Sequence, residues 1–73
     1  MIVTKHAVRR FRERIMNASY SFIEQFIKKE LQESVLLYSI NGIEKRYVNG
    51  MVYVLERSEG LLKVITLYPK HIF

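Results

Sequence analysis

Apolar residues recur at helical spacing through the first half of the chain and at every second position through the rest. From Thr4 to Ile15 the set Ala7, Val8, Phe11 and Ile15 follows a helix. Thr4 is placed to cap it, its hydroxyl accepting a backbone N–H that the first turn leaves without a partner. The pattern breaks at Met16, Asn17 and Ala18. Ser21 and Glu24 then have the spacing of a capping box. Phe22, Ile23, Phe26, Ile27, Leu31 and Val35 keep the 3.6-residue period, with Lys28, Lys29, Gln32 and Glu33 on the other side. This predicts a second helix ending near Ser34. Beyond it, β-branched and aromatic residues predict strands at about 35–40, 43–48, 51–56 and 61–68. Asn41-Gly42 and Asn49-Gly50 suit two-residue type I′ turns, whose central positions need positive φ. Arg57–Gly60 reads as a longer loop, and Pro69 closes the last strand. The predicted fold class is α+β, with two N-terminal helices packed on a four-stranded antiparallel meander sheet in one domain over residues 1–73.

Tight turns fix register, and register assigns faces. Pairing Ile40 with Ile43 and Val48 with Met51 gathers Leu36, Tyr38, Ile40, Ile43, Tyr47, Val52, Val54 and Ile65 on one face. The other receives Val35, Leu37, Glu44, Arg46, Val48, Tyr53, Leu55, Val64, Thr66 and Tyr68. Two helices cover one side of so small a sheet, and the first set is the more apolar, so it is expected to be the covered one. Arg46, Tyr53 and Thr66 would then share an open polar face.

Composition narrows the chemistry. There is no cysteine, so disulfides, thiolate metal sites and cysteine nucleophiles are excluded. All seven acids are glutamate, which argues against a carboxylate metal cage, and neither a cofactor nor a metal is expected. P-loop, dinucleotide-binding and zinc-protease motifs are missing. No stretch of 18 apolar residues occurs, so no membrane association is expected. The opening Met1–Thr4 lacks the order of a secretory signal, and the expected location is cytoplasmic. Twelve Lys and Arg against seven Glu give a net charge of +5. Lys5, Arg9, Arg10, Arg12 and Arg14 against Glu13 alone place +4 of it in the first fourteen residues. An anionic partner is expected there, nucleic acid above all.

On a helix, His6, Arg10 and Arg14 fall at about 0°, 40° and 80° and make one stripe, while Arg9 and Arg12 point elsewhere. The run His6-Ala7-Val8-Arg9-Arg10-Phe11-Arg12-Glu13-Arg14-Ile15 resembles the H-A-x-x-R-x-x-x-R-[IV] opening of small proteins in the barnase/EndoU/colicin/RelE-like superfamily of metal-independent ribonucleases. Leu61–Pro69 is similar to their final strand, in which a threonine and a tyrosine alternate before a proline. The resemblance implies that His6 and Arg10 are the polar pair of helix one, with Arg14 as second arginine and Thr66 and Tyr68 as polar groups on the last strand. It also implies the helix, helix, meander order. His6, Arg10, Thr66 and Tyr68, with Arg46, are the catalytic candidates.

Cleaving RNA without metal needs a base for the 2′-hydroxyl, an acid for the leaving 5′-oxygen and cations for the phosphate. His6 titrates near neutrality and suits either proton-transfer role. Arg10 and Arg46 suit bidentate phosphate contact, Thr66 a donated hydrogen bond, and Tyr53 or Tyr68 a stacked base or a donated proton. Lys5, Arg9, Arg14 and Tyr53 are the expected nucleic-acid contacts. His71, the second histidine, is a weaker candidate for proton transfer. Two expectations follow: a toxin-type ribonuclease acting on free or ribosome-bound RNA, or a non-catalytic binder of nucleic acid. A third is an inhibitor or adaptor, phage-encoded for instance, that meets a host protein or antitoxin through the sheet.

Overall fold

In the computed structural model, which describes residues 1–70, seven elements follow one another. They are β1 (Ile2–Val3), α1 (Lys5–Arg14), α2 (Tyr20–Glu33), β2 (Val35–Ile40), β3 (Ile43–Val48), β4 (Met51–Ser58) and β5 (Leu61–Pro69). His71 lies outside the described residues. The fold is α+β, as expected, but the sheet has five strands in the order β1-β5-β4-β3-β2. β2 to β5 form the expected antiparallel meander, and β1 adds a parallel pair with β5, Ile2 facing Lys63 and Val3 facing Val64. Two residues are too few to show a period, which is why β1 leaves no pattern in the sequence. No described helix is long and apolar enough to cross a membrane.

Thr4 caps α1 as its position suggested, with Ala7 N donating to its Oγ1 at 3.2 Å while its own hydroxyl reaches Val64 O and Ile65 O at 3.0 Å. One residue thus starts α1 and ties it to β5. The cap of α2 is Ser19, not Ser21: Ser19 is extended and its Oγ accepts from Phe22 N, so the Ser21–Glu24 box does not form. Both Asn-Gly turns form, with φ of 50° and 81° at Asn41 and Gly42 and 48° and 83° at Asn49 and Gly50. Glu59 and Gly60, at 52° and 76°, make a third tight turn where a longer loop was expected, so β4 runs on to Ser58, opposite the expected start of β5 at Leu61. Glutamate is a rare choice for a positive φ, and that hid this turn.

The β3–β4 register is the expected one, with Val48 opposite Met51 and Arg46 opposite Tyr53. In β2, however, a bulge at Leu37 pairs Val35 with Tyr47 and Leu36 with Arg46, exchanging the faces expected for Val35 and Leu36. The faces are inverted. Both helices cover the mixed face, where Val48, Tyr53, Leu55, Val64 and Leu67 join Val3, Ala7, Phe11, Ile23 and Ile27 in one core. The polar groups on that face bring their own partners, which removes the cost of covering them. Tyr53 Oη donates to Glu30 Oε1 at 2.6 Å, and Asn49 Nδ2 donates to Glu30 Oε2 at 2.8 Å. Arg46 Nε donates to Ser34 Oγ at 2.7 Å. A bulge at Ile65 completes the rearrangement: Val54 pairs with Thr66 and Leu55 with Val64, so Leu67 turns into the core and Thr66 and Tyr68 turn out of it.

Tyr53 is fully buried, and burial together with the Glu30 carboxylate pushes its phenol well above its ordinary value. A raised folded-state pKa gives stability that is complete below about pH 10, the unfolded value, and falls as pH rises past it, because the unfolded chain loses the proton first. Wild type is therefore expected to lose up to about 1.4 kcal/mol per pH unit above pH 10 through this group. Tyr53→Phe is expected to lack that component and to cost about 2 kcal/mol at pH 7 by leaving Glu30 short of a donor. Urea unfolding of both proteins at pH 7, 10 and 11 measures both effects.

Candidate nucleic-acid interface

Helix α1 turns Ala7 and Phe11 into the core and presents charge over the rest of its circumference. Phe11 meets the Phe26 ring edge to face at 5.2 Å between centroids, which fixes the rotation of α1 about its axis. Two basic flanks result. His6, Arg10 and Arg14 form the expected stripe on one, where Arg10 Nη1 pairs with Glu13 Oε1 at 2.7 Å. The other flank does more. Lys5, Arg9 and Arg12 line an open groove of about 530 Å³ with Glu13, over a floor of Val3 and Val8 and against the ring of Tyr20.

Several contacts hold that groove in shape. Arg12 Nε donates to Ala18 O at 3.0 Å, pinning the guanidinium at the end of the connection to α2, just before the Ser19 cap. Val3 N donates to Tyr20 Oη at 3.2 Å, so the first residue of α2 clasps β1. Tyr20 stays 44% exposed as a residue, and its ring can stack against a planar ligand. The Glu13 carboxylate is already met by Arg10 from the opposite flank, which leaves the field of the groove positive. An apolar floor, three cations on one wall and an aromatic ring on another are the elements that hold a polyanion with planar bases.

The remaining expected site residues are dispersed. Arg46 is not on an open face. It lies beneath the end of α2, donating to Ser34 Oγ, to Ser34 O at 3.5 Å and to Glu44 Oε2 at 3.4 Å. There it satisfies carbonyl and hydroxyl groups at a helix C-terminus, a position that favours a cation. Tyr53 is likewise in the core rather than available to a base. Thr66 and Tyr68 stand on the helix-free face, so the polar patch expected of Arg46, Tyr53 and Thr66 does not assemble. On that open face Lys45 Nζ lies 5.4 Å from the Tyr68 ring centroid and 5.7 Å from that of Tyr38. The neighbouring Tyr68 phenol, and after it that of Tyr38, raises the Lys45 pKa. The ammonium itself occupies the ring faces that a base would need.

Arg12 and Tyr20 are the groove residues that the sequence did not mark as candidates. A signal for Arg12 existed: counted from His6, Arg12, Lys5 and Arg9 fall within about 60° of one another, a second stripe as tight as the first. Tyr20 carries no such signal, because its place in the groove depends on β1. Comparison with protein-family models, curated proteins and solved structures finds no match for this chain, so its fold and surface chemistry carry the functional argument.

Proposed function

We propose that this protein binds single-stranded RNA along α1, with the phosphate backbone against Lys5, Arg9 and Arg12 and an unpaired base against Tyr20. The observation that carries the reading is the α1 groove, in which three cations and an exposed ring converge over an apolar floor. The concentration of +4 in the first fourteen residues supports it. Each cation at the groove releases a counterion when a phosphate replaces it, so log K should fall with log salt with a slope of about −2 or steeper for three contacts on a single strand. Fluorescence anisotropy with a labelled RNA oligomer between low and high salt measures that slope. A slope near zero removes the groove from binding.

Tyr20 separates stacking from folding. Tyr20→Phe keeps the ring but loses the hydrogen bond from Val3 N, and is expected to weaken RNA binding less than Tyr20→Ala does. Tyr20→Ala is expected to weaken binding about tenfold, a value inside the range for one stacked base. Equal affinities for all three proteins would place the bases elsewhere.

Retention rather than cleavage is the reading the arrangement favours. His6 is exposed on α1, but Arg46 is engaged beneath α2 and Thr66 and Tyr68 face the other side of the sheet. The groups that cleavage would unite are thus divided between two faces. RNA incubated with the protein in EDTA, alone or in translating extract, is expected to stay intact. Cutting that His6→Ala abolishes would establish turnover instead.

A further inference from the structure

β2 is an outermost strand of the sheet, and among the described residues its outer row of N–H and C=O groups meets no other strand. Its side chains are as open as its backbone. Val35, Leu36, Leu37, Tyr38 and Ile40 are 62, 47, 43, 42 and 59% exposed. Proteins ordinarily guard such an edge by shortness, by charge or by a covering element. The opposite edge follows that rule, because β1 has two residues. β2 has six and no charge, interrupted only by one bulge at Leu37, inside the longest uncharged run of the chain, Ser34–Ile43, in a protein where every fourth residue is ionic.

We propose that β2 pairs with β2 of a second copy, antiparallel about a two-fold axis, joining two five-stranded sheets into one of ten strands. Charge selects this occupant. A two-fold contact sets a strand against its own sequence, so any charged residue near the axis would face its like. β2 brings only Val, Leu, Tyr, Ile and Ser to that contact. A foreign strand with acidic or basic side chains would find no counter-charge on it. The charge elsewhere in the molecule agrees. α1, which holds +4 of the net +5, packs over β5, separated from β2 by β4 and β3. Joining two copies at β2 keeps the two basic helices at opposite ends of the combined sheet, where screening makes their repulsion small. The contact also buries apolar side chains from both faces of each strand: Val35, Tyr38 and Ile40 lie on the open side and Leu36 on the helix side.

Sedimentation of the whole protein from about 1 to 200 µM tests the pairing, because a dimer of this kind dissociates by mass action. The expected result is a mass rising to twice the 8.7 kDa of one chain. The double variant Val35→Lys with Leu37→Lys is expected to remain at one chain throughout, with a circular dichroism spectrum like that of wild type. Met16→Lys, which changes an exposed apolar residue away from the sheet, is expected to dimerise as wild type does. Amide exchange supplies an independent readout, with the β2 amides expected to slow as concentration rises. A single-chain mass across the range, a dimer that survives the double lysine variant, or a dimer whose β2 amides keep their dilute-solution rates would overturn the pairing. The mass, spectrum and exchange are read without RNA, so the outcome is independent of what binds α1.

Discussion

Replacing Lys5, Arg9 and Arg12 together by glutamine is expected to weaken RNA binding about 100-fold at 0.1 M salt and to reduce the salt slope by about 2. Both values follow from one relation: each phosphate contact to a single strand contributes about 0.7 to the slope, so three contribute about two powers of ten at that ionic strength. The loss should be nearly the same for any RNA sequence, because backbone contacts position the ligand without reading it. Glutamine removes the charge while keeping the first methylenes and the helix propensity of the side chains, and none of the three side chains belongs to the core. The variant should therefore melt as wild type does. Anisotropy titrations at several salt concentrations check the affinity and the slope together. Converting Arg10 and Arg14 on the opposite flank should cost less, since Arg10 is already paired with Glu13 and neither lines the groove. A larger loss from that pair would move the ligand to the His6 flank.

The second large effect is on stability. Phe11→Ala is expected to cost about 3–5 kcal/mol, since the ring is fully buried and its removal leaves a cavity that Phe26, packed edge to face against it, fills only in part. A domain of this size is stabilised by roughly 4–11 kcal/mol, so the variant should melt about 12 °C or more below wild type and in some conditions be largely unfolded. Chemical denaturation followed by far-ultraviolet circular dichroism gives the value. RNA binding should fall with the folded fraction and no further, which separates this result from loss of the groove.

Much of the architecture is legible in the residue pattern because local physics sets it. The Asn-Gly turns, the Thr4 cap and the change of period near Val35 each act over a few residues and would operate in almost any tertiary setting. Which face of the sheet the helices cover is a different kind of question. Counting apolar residues favours the face of Tyr38, Tyr47 and Val54, yet the face of Tyr53 wins because Glu30 and Ser34 on the helix side satisfy Tyr53, Asn49 and Arg46. Complementarity of that sort joins residues 12 to 23 positions apart and has no trace in either strand alone. The bulge at Ile65 is equally invisible, and it decides that Thr66 and Tyr68 leave the helix side. The candidate site divides on the same line. The basic character of α1 is local and legible. Tyr20 joins the groove only because β1 pairs with β5 and offers Val3 N to the phenol oxygen.

The account rests most heavily on α1 being the surface that RNA touches. Titrating isotopically labelled protein with a single-stranded RNA oligomer and following backbone amide resonances tests this residue by residue. The expected result is saturable shifts concentrated at Val3, Lys5, Val8, Arg9, Arg12 and Tyr20, with the helix-free face around Lys45 and Tyr68 unmoved. Shifts confined to that face, or a spectrum unchanged at saturating RNA, would contradict it.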